Sequence, residues 1–142
     1  MPRDDASRLS QAQYEGLAEF RYALRQFLAF SEAATREVGV TPSQYQAMLV
    51  IKSFPGPAIT IGELAGQMLL QHHGAVQLVD RLARIGLVER RPSTTDRRSV
   101  LIALTAKGKR LLAGLAAAHT EELLCHEPLL AEALKRLRRI HR

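Results

Sequence analysis

Two arginines beside an acid form the most distinctive chemical pattern in this chain. Asp96, Arg97 and Arg98 lie in a polar segment between two β-type runs, 87–91 and 100–104. Guanidinium groups bind phosphate oxygens, and they also enter narrow minor grooves, where the electrostatic potential is most negative. The pattern predicts a β-hairpin that places Arg98, together with Arg97, on nucleic acid. The alternative is a solvated hairpin tip that is rich in charge.

Polar side chains suited to reading bases precede this hairpin, at the start of a segment with helical periodicity. His72, His73 and Gln77 are the candidates, because glutamine bonds an adenine edge and histidine donates to guanine or touches a phosphate. Arg81 lies further along and is predicted to contact a phosphate or an acid of the protein itself, and Asp80 to be an ion-pair partner. In the alternative interpretation, one histidine caps the helix or packs on the preceding turn.

Other reactive residues do not form a recognisable site. His119, Cys125 and His126 have the side chains that zinc prefers, but their spacing matches no short metal motif, so no metal is predicted. As the only cysteine, Cys125 is expected to be a small buried hydrophobe, with a thiol sensor as the alternative. We find no catalytic constellation and no cofactor motif, and therefore expect no enzyme activity.

Composition limits the class of protein and its partners. The chain has 142 residues, of which 46% are hydrophobic, and a formal net charge of +6. These values suit one globular domain, 1–142, with a polyanionic partner. The sequence lacks the uninterrupted apolar stretch that a signal peptide or a membrane span needs, so we expect a cytoplasmic protein without membrane contact.

The elements that must position these residues are marked by helix signals. An amphipathic helix is predicted over 11–37, ending near Gly39. Thr41 and Thr60 each begin a capping box and so predict two more helices, the first ending before Phe54 and the second covering about 61–68. A further helix ends at Gly86. Its periodicity predicts one apolar face, with Ala75, Leu78, Val79, Leu82 and Ile85, and leaves His73, Gln77, Asp80, Arg81 and Arg84 largely on the other. Two short helices joined by a tight turn predict a helix-turn-helix.

The part of the chain after the hairpin is also helical in pattern. Thr105 is a plausible cap for a fifth helix, which Pro128 is expected to break before a last basic helix. The first and last helices carry more apolar surface than a compact core needs, and a helical dimerisation region would bury it. The predicted fold class is thus mainly α with a small β-hairpin wing, a winged helix-turn-helix with N- and C-terminal helical dimerisation segments.

Two motifs at the right mutual spacing resemble the MarR family of transcriptional regulators. In the family pattern, Asp-x-Arg is followed by five residues and then by Leu-Thr. This pattern matches Asp96, Arg98, Leu104 and Thr105 and continues through 106–108. The second match runs from Leu78-Val79-Asp80-Arg81-Leu82 to Gly86-Leu87-Val88-Glu89-Arg90, where the family has its recognition helix and first wing strand. Where relatives usually place small hydroxyl residues, this chain has Gln71-His72-His73-Gly74, so the operator sequence cannot be carried over.

The resemblance implies a homodimer that binds a pseudo-palindromic operator in double-stranded DNA, usually as a repressor released by a small-molecule effector. It implies that 11–38 and 106–142 form the dimerisation region and 40–105 the DNA-binding region, with Asp96 orienting the wing arginine. We assign no effector site, because aromatic residues at helical spacing, such as Phe27 and Tyr45, are more typical of a core. The alternative function is a winged-helix module that binds an acidic protein or, without sequence preference, DNA.

Overall fold

The computed structural model of the protein describes residues 8–95 and 99–138, and within them the chain is mainly helical with a small antiparallel sheet, as predicted. The elements in chain order are α1 Gln11–Glu37, α2 Pro42–Ser53, β1 Ile59–Thr60, α3 Ile61–Met68, α4 His72–Arg84, β2 Val88–Pro92, β3 Val100–Leu104 and α5 Ala106–Arg138. They form two compact units. One contains the described residues up to Ser31 and those from His119 onward, and the other is Glu32–Ala118.

Local side-chain chemistry sets where the helices of the second unit begin. Thr41 accepts a hydrogen bond from the Gln44 N–H at 3.1 Å, and Gln44 Oε1 accepts one from the Thr41 N–H at 2.9 Å. Thr60 and Glu63 make the same reciprocal pair at the start of α3, with both distances 3.1 Å. Each box satisfies two backbone donors that a helix N-terminus leaves without partners, so both capping predictions are confirmed.

The sheet differs from the predicted two-stranded hairpin in two ways. A third strand, β1, pairs with β3, so that the order is β1-β3-β2. With only two residues, it is too short for an alternating pattern to reveal it. In addition, β2 begins at Val88 rather than Leu87 and includes Pro92, opposite Val100. An edge strand tolerates proline, since its outward-facing side needs no N–H donor.

The hydrophobic core of the second unit joins all its elements. Met48, Ile59, Leu64, Leu82 and Ile102 are completely buried and come from α2, β1, α3, α4 and β3. This packing holds α4 in place through one face and leaves its other face exposed, as the periodicity predicts.

A buried tyrosine of the same core gives the fold one pH-dependent contribution. Burial raises the pKa of the Tyr45 phenol above its ordinary value. Because the folded state favours the protonated phenol, the stability linked to it is present at neutral pH and is lost as the pH rises from about 10 through the raised pKa.

The first unit pairs α1 with the second half of α5. Ala23 and Ala133 are buried, and Gly16 lies so close to α5 that an added Cβ would be 3.0 Å from the Ala133 carbonyl oxygen. At the same end of the pair, Arg136 donates to Glu19 at 2.7 Å. Close approach of the two helices and this ion pair hold the unit together.

Histidine 119, one of the candidate metal ligands, lies in the interior of this unit. The His119 side chain is 3% exposed, its Nε2 is 2.8 Å from Ser31 Oγ, and its ring makes edge contacts with Phe27 and Phe30. His126 instead pairs with Glu122 at 3.1 Å. Within the described part of the chain, no group of three potential ligands could hold a metal ion.

The predicted break at Pro128 is wrong, because α5 continues through it to Arg138. Proline inside a helix costs about 3 kcal/mol through a lost hydrogen bond and a steric clash. The residues beyond it are held by tertiary contacts, namely the buried Ala133 and the ion pair of Arg136 with α1. These contacts outweigh the local penalty, so the last basic helix is the end of α5.

The prediction that Cys125 is buried is also wrong, since the Cys125 side chain is exposed on α5. Neighbouring apolar side chains on this part of the helix are exposed as well, Leu123 by 44% and Leu124 by 61%. We predicted burial because an apolar stretch usually faces a core. Within the described residues of the first unit, however, no element covers this face of α5.

Candidate nucleic-acid interface

Two of the three predicted base-reading side chains, His73 and Gln77, lie on the exposed face of α4. The opposite face of the helix, with Ala75, Val79 and Leu82, is completely buried. His73, Gln77 and Arg81 are exposed and follow one another at four-residue steps. Residues spaced in this way are neighbours along one side of a helix, so the three side chains form a polar stripe that starts at the N-terminus of α4.

His72 occupies a different place from this stripe. It lines a cleft of about 400 Å³ together with Thr60, Ile61 and Gly62 at the start of α3 and Ser99 and Val100 in the wing. Neither histidine is the helix cap, because the N-cap residue is Gln71, and its side chain makes no capping hydrogen bond. His72 is therefore placed between the helix-turn-helix and the wing, whereas His73 projects from the helix itself.

One ion pair connects α4 to the first wing strand, and a second lies within that strand. The Asp80 carboxylate on α4 accepts a hydrogen bond from the Arg90 guanidinium on β2, which confirms the ion-pair role predicted for Asp80. Next to it on β2, Arg91 Nε donates to Glu89 at 2.9 Å. Among the described residues, no carboxylate forms an ion pair with Arg81 or Arg84, so both cations on α4 are available to phosphates.

The residues predicted for the wing tip, Asp96, Arg97 and Arg98, lie outside the described residues. The strands on either side are paired as far as Pro92 and Val100, and beyond them the Ser93 N–H donates to the Ser99 carbonyl at 3.2 Å. The roles of the two arginines and of Asp96 thus stay predictions from the sequence.

A junction around Gly86 connects the end of α4 to the start of α5. Gly86 has φ +77°, a left-handed conformation that favours glycine. Thr105 Oγ1 donates to the Gly86 carbonyl at 2.6 Å and accepts from the Gly108 N–H at 3.0 Å, and Lys107 Nζ donates to the Ile85 carbonyl at 3.0 Å. The sequence predicted Thr105 as a cap but not its bond to Gly86, because the two residues are far apart in the chain.

Replacing Thr105 by valine is expected to lower the free energy of unfolding by about 2 kcal/mol, because the helix N-terminus loses its cap and the part-buried Gly86 carbonyl loses a donor. Valine has the same shape, so the substitution isolates the hydroxyl. Urea denaturation followed by circular dichroism measures the change. The control, Thr105→Ser, keeps the hydroxyl and should retain most of the stability. Equal stabilities for the valine and serine variants would contradict the role of this junction.

A helix-turn-helix followed by a small wing, with an exposed polar stripe on its second helix, defines a winged-helix nucleic-acid-binding protein. The sequence profile of the MarR family matches residues 38–99. A curated relative, the uncharacterised HTH-type transcriptional regulator YsmB of Bacillus subtilis, is 32% identical over 102 residues, which cover 69% of this chain and 68% of YsmB. This chain belongs to the MarR family and is an HTH-type transcriptional regulator, not an enzyme.

Solved structures share the fold at low sequence identity. AbsC, a MarR family transcriptional regulator from Streptomyces coelicolor, superposes with a TM-score of 0.71 at 18% identity, covering 84% of this chain and 80% of AbsC. A mutant of S. aureus MepR bound to an oligodeoxyribonucleotide gives a TM-score of 0.67 at 18% identity, covering 83% of this chain and 82% of MepR.

Among the described residues, none of the helices has the length and apolar character that crossing a membrane requires.

Proposed function

We propose that this regulator is a homodimeric repressor that binds a pseudo-palindromic DNA operator and is released by a small-molecule effector. The observation that carries the proposal is the exposed stripe of His73, Gln77 and Arg81 on a helix whose other face is anchored in the core. A rigid helix with polar side chains at its N-terminal end fits the major groove and reads base edges there. The oligonucleotide bound to MepR supports this use of the fold. The protein would act in the cytoplasm, on DNA.

Within this proposal the DNA-reading residues are His72, His73 and Gln77, with Arg81 on a phosphate. Arg97 and Arg98 would reach the adjacent minor groove, oriented by Asp96. Residues 40–105 would form the DNA-binding region, and 11–38 with 106–142 the dimerisation region. The formal net charge of +6 favours any polyanionic partner, whereas the side chains on α4 would determine which DNA sequence is bound.

Selection from a random duplex library with the purified protein at physiological salt tests the proposal. We expect enrichment of an inverted repeat whose half-sites are about 10 base pairs apart, since a two-fold dimer places its recognition helices one turn of DNA apart. Binding to the selected sequence should also weaken steeply as the salt concentration rises. For each phosphate that the protein neutralises, log K should fall by about 0.9 per tenfold increase in salt concentration. Retention without any enriched sequence would contradict specific regulation and favour an architectural or protein-binding role.

Dimerisation is supported by apolar surface on the first unit. Several large side chains of α1 and α5 are at least 40% exposed. They are Tyr14, Leu17, Tyr22, Leu24 and Leu28 on α1, and Leu123, Leu124, Leu129 and Leu134 on α5. Apolar surface grouped on one pair of helices is typical of an interface, and a two-fold dimer covers such a surface with its own copy.

Replacing both Leu24 and Leu28 by glutamate is expected to convert the dimer to a monomer, because burial in an interface would desolvate two carboxylates without partners. Sedimentation velocity measures the change, and circular dichroism checks that the helices remain. The control is Leu69→Glu, since Leu69 is 93% exposed and lies in the turn after α3. A doubly substituted protein that sediments like the wild type would exclude this face from the interface.

A further inference from the structure

The turn between α3 and α4 has an unusual backbone at Leu69. Among the described residues, Leu69 is the only non-glycine residue with a positive φ angle, and its φ of 55° and ψ of 39° are left-handed. In this conformation a Cβ crowds the following carbonyl oxygen, a cost that glycine avoids. Two hydrogen bonds fix the turn, from the Leu69 N–H to the Gly66 carbonyl at 3.3 Å and from the Leu70 N–H to the Ala65 carbonyl at 2.9 Å. Helix ends closed in this way usually have glycine where Leu69 stands.

The Leu69 side chain contributes almost nothing to the packing of the fold. It is 93% exposed, so folding removes very little of its apolar surface from water. A single exposed leucine is common on protein surfaces, but here it coincides with a strained backbone that glycine would relieve. Residues held in strained conformations cluster where a protein contacts a ligand. Leu69 is therefore a candidate for a contact with a molecule outside this chain.

The position of Leu69 in the helix-turn-helix indicates which molecule that is. Leu69 lies three residues before His72, the first residue of α4. The turn packs on the first turn of α4, since the Leu70 Cβ is 3.9 Å from the place that a Cβ on Gly74 would occupy. The N-terminal residues of a recognition helix are those that reach base edges. Leu69 is thus held beside the end of α4 that we propose to enter the major groove.

The surface around Leu69 carries no formal charge. Residues 64–79, from the middle of α3 to the middle of α4, contain no Asp, Glu, Lys or Arg. Phosphate contacts rely on cations, and on α4 these come later, at Arg81 and Arg84. An uncharged surface with an apolar tip suits a base edge, and it does not suit the phosphate backbone or an acidic protein. The apolar group that base edges offer in the major groove is the 5-methyl group of thymine.

We propose that Leu69 contacts a thymine 5-methyl group in each half-site of the operator and so selects thymine at that position. The proposal rests on the proposed function and adds to it a base-reading residue that lies outside α4. Contact between the leucine and the methyl group supplies affinity in proportion to the apolar area removed from water. DNA binding, and not folding, then offsets the backbone strain at Leu69.

Replacing thymine by uracil tests this contact, because the exchange removes only the 5-methyl group from the DNA. Each dT of one half-site in the selected operator is replaced in turn by dU, and fluorescence anisotropy of labelled duplexes measures the affinity of the full chain. At one position we expect the affinity to fall about fourfold, the effect of losing one buried methyl group. Equal affinities for dT and dU at every position would overturn the proposal.

Three variants assign the effect to Leu69. Leu69→Gly should bind the selected operator at least about fourfold more weakly and no longer distinguish dT from dU at that position. Leu69→Met keeps an apolar side chain and should retain the distinction. Gln67→Ala is the matched control, since it removes an exposed uncharged side chain two residues earlier. Glycine also relieves the strain, so the urea midpoint of Leu69→Gly should be no lower than that of the wild type. A purely structural role for Leu69 would instead lower the midpoint together with the affinity.

The outcomes separate the thymine contact from the proposed function. If an operator is selected but Leu69→Gly still distinguishes dT from dU as the wild type does, the contact is excluded while the proposed function stands. In that case the exposed leucine is left for a protein partner. Weaker binding of Leu69→Gly to all sequences alike, with the distinction retained, would make Leu69 a contact of the DNA backbone and also exclude the proposal. If library selection enriches no sequence, the proposed function and the thymine contact fail together.

Discussion

Replacing Gly108 by alanine is expected to lower the free energy of unfolding by about 3 kcal/mol, as overpacking against a backbone does. A Cβ at this position would lie 2.0 Å from the Leu87 carbonyl oxygen and 3.0 Å from the Leu87 carbonyl carbon. The obstacle cannot move freely, because this oxygen accepts the Thr105 N–H at 3.1 Å, and the Leu87 N–H donates to the Leu82 carbonyl at 3.0 Å. Either α5 or the start of the wing must shift.

The matched control for this substitution is Gly114→Ala on the same helix. Apart from its chain neighbours and the nearby backbone of its own helix, no atom of the described residues lies within 4 Å of the Cβ that it would add. Alanine is a better helix former than glycine by up to about 1 kcal/mol, so this variant should be slightly more stable than the wild type. Urea denaturation of both variants gives the comparison. A stability of Gly108→Ala equal to that of Gly114→Ala would show that the junction is looser than the structure indicates.

Loss of base discrimination is the expected result of replacing Gln77 by alanine. The Gln77 side chain is exposed one turn after His73 on the face of α4 that we propose to enter the major groove. A bidentate contact to a base edge contributes about 1–3 kcal/mol of discrimination against the wrong base. Affinity for the selected operator should therefore fall by that amount, with little change for operators altered at the contacted base pair. Electrophoretic mobility shifts on the selected operator and on a set of single-base operator variants measure these affinities.

The Arg81→Ala variant, on the same helix, is the comparison for Gln77→Ala. Arg81 is exposed one turn beyond Gln77, and a phosphate contact there should support binding to all sequences alike. We expect uniform weakening, with a salt slope that is shallower by about 0.9 for each phosphate that the variant no longer neutralises. If Gln77→Ala also weakens all sequences alike, then Gln77 holds the DNA backbone and the bases are read by other side chains.

Features that depend on neighbours in the chain could be predicted from the sequence. The Thr41 and Thr60 capping boxes involve residues three positions apart, and Gly39 and Gly86 adopt the positive φ angles expected at helix ends. Their chemistry is local, so it is visible in the order of residues. The same holds for the apolar face of α4, because a helical period places its buried side chains at regular intervals.

Features that depend on distant contacts were missed or wrongly predicted. Strand β1 exists because Ile59 and Thr60 pair with β3, and two residues carry no periodicity of their own. Pro128 does not end α5, since contacts of the residues beyond it with α1 outweigh the proline penalty. Cys125 is exposed because no part of the first unit covers its side of α5.

Some features of the candidate functional sites could likewise be predicted from the sequence, and others could not. By itself, the sequence determined the family, through the wing motif and the recognition-helix motif, and the positions of His73, Gln77 and Arg81 on one helix face. Only the tertiary structure placed His72 in the cleft beside the wing, joined Thr105 to Gly86, and left Leu69 exposed beside the start of α4. A periodic pattern specifies which side chains share a face, whereas the packing of separate elements specifies which faces meet.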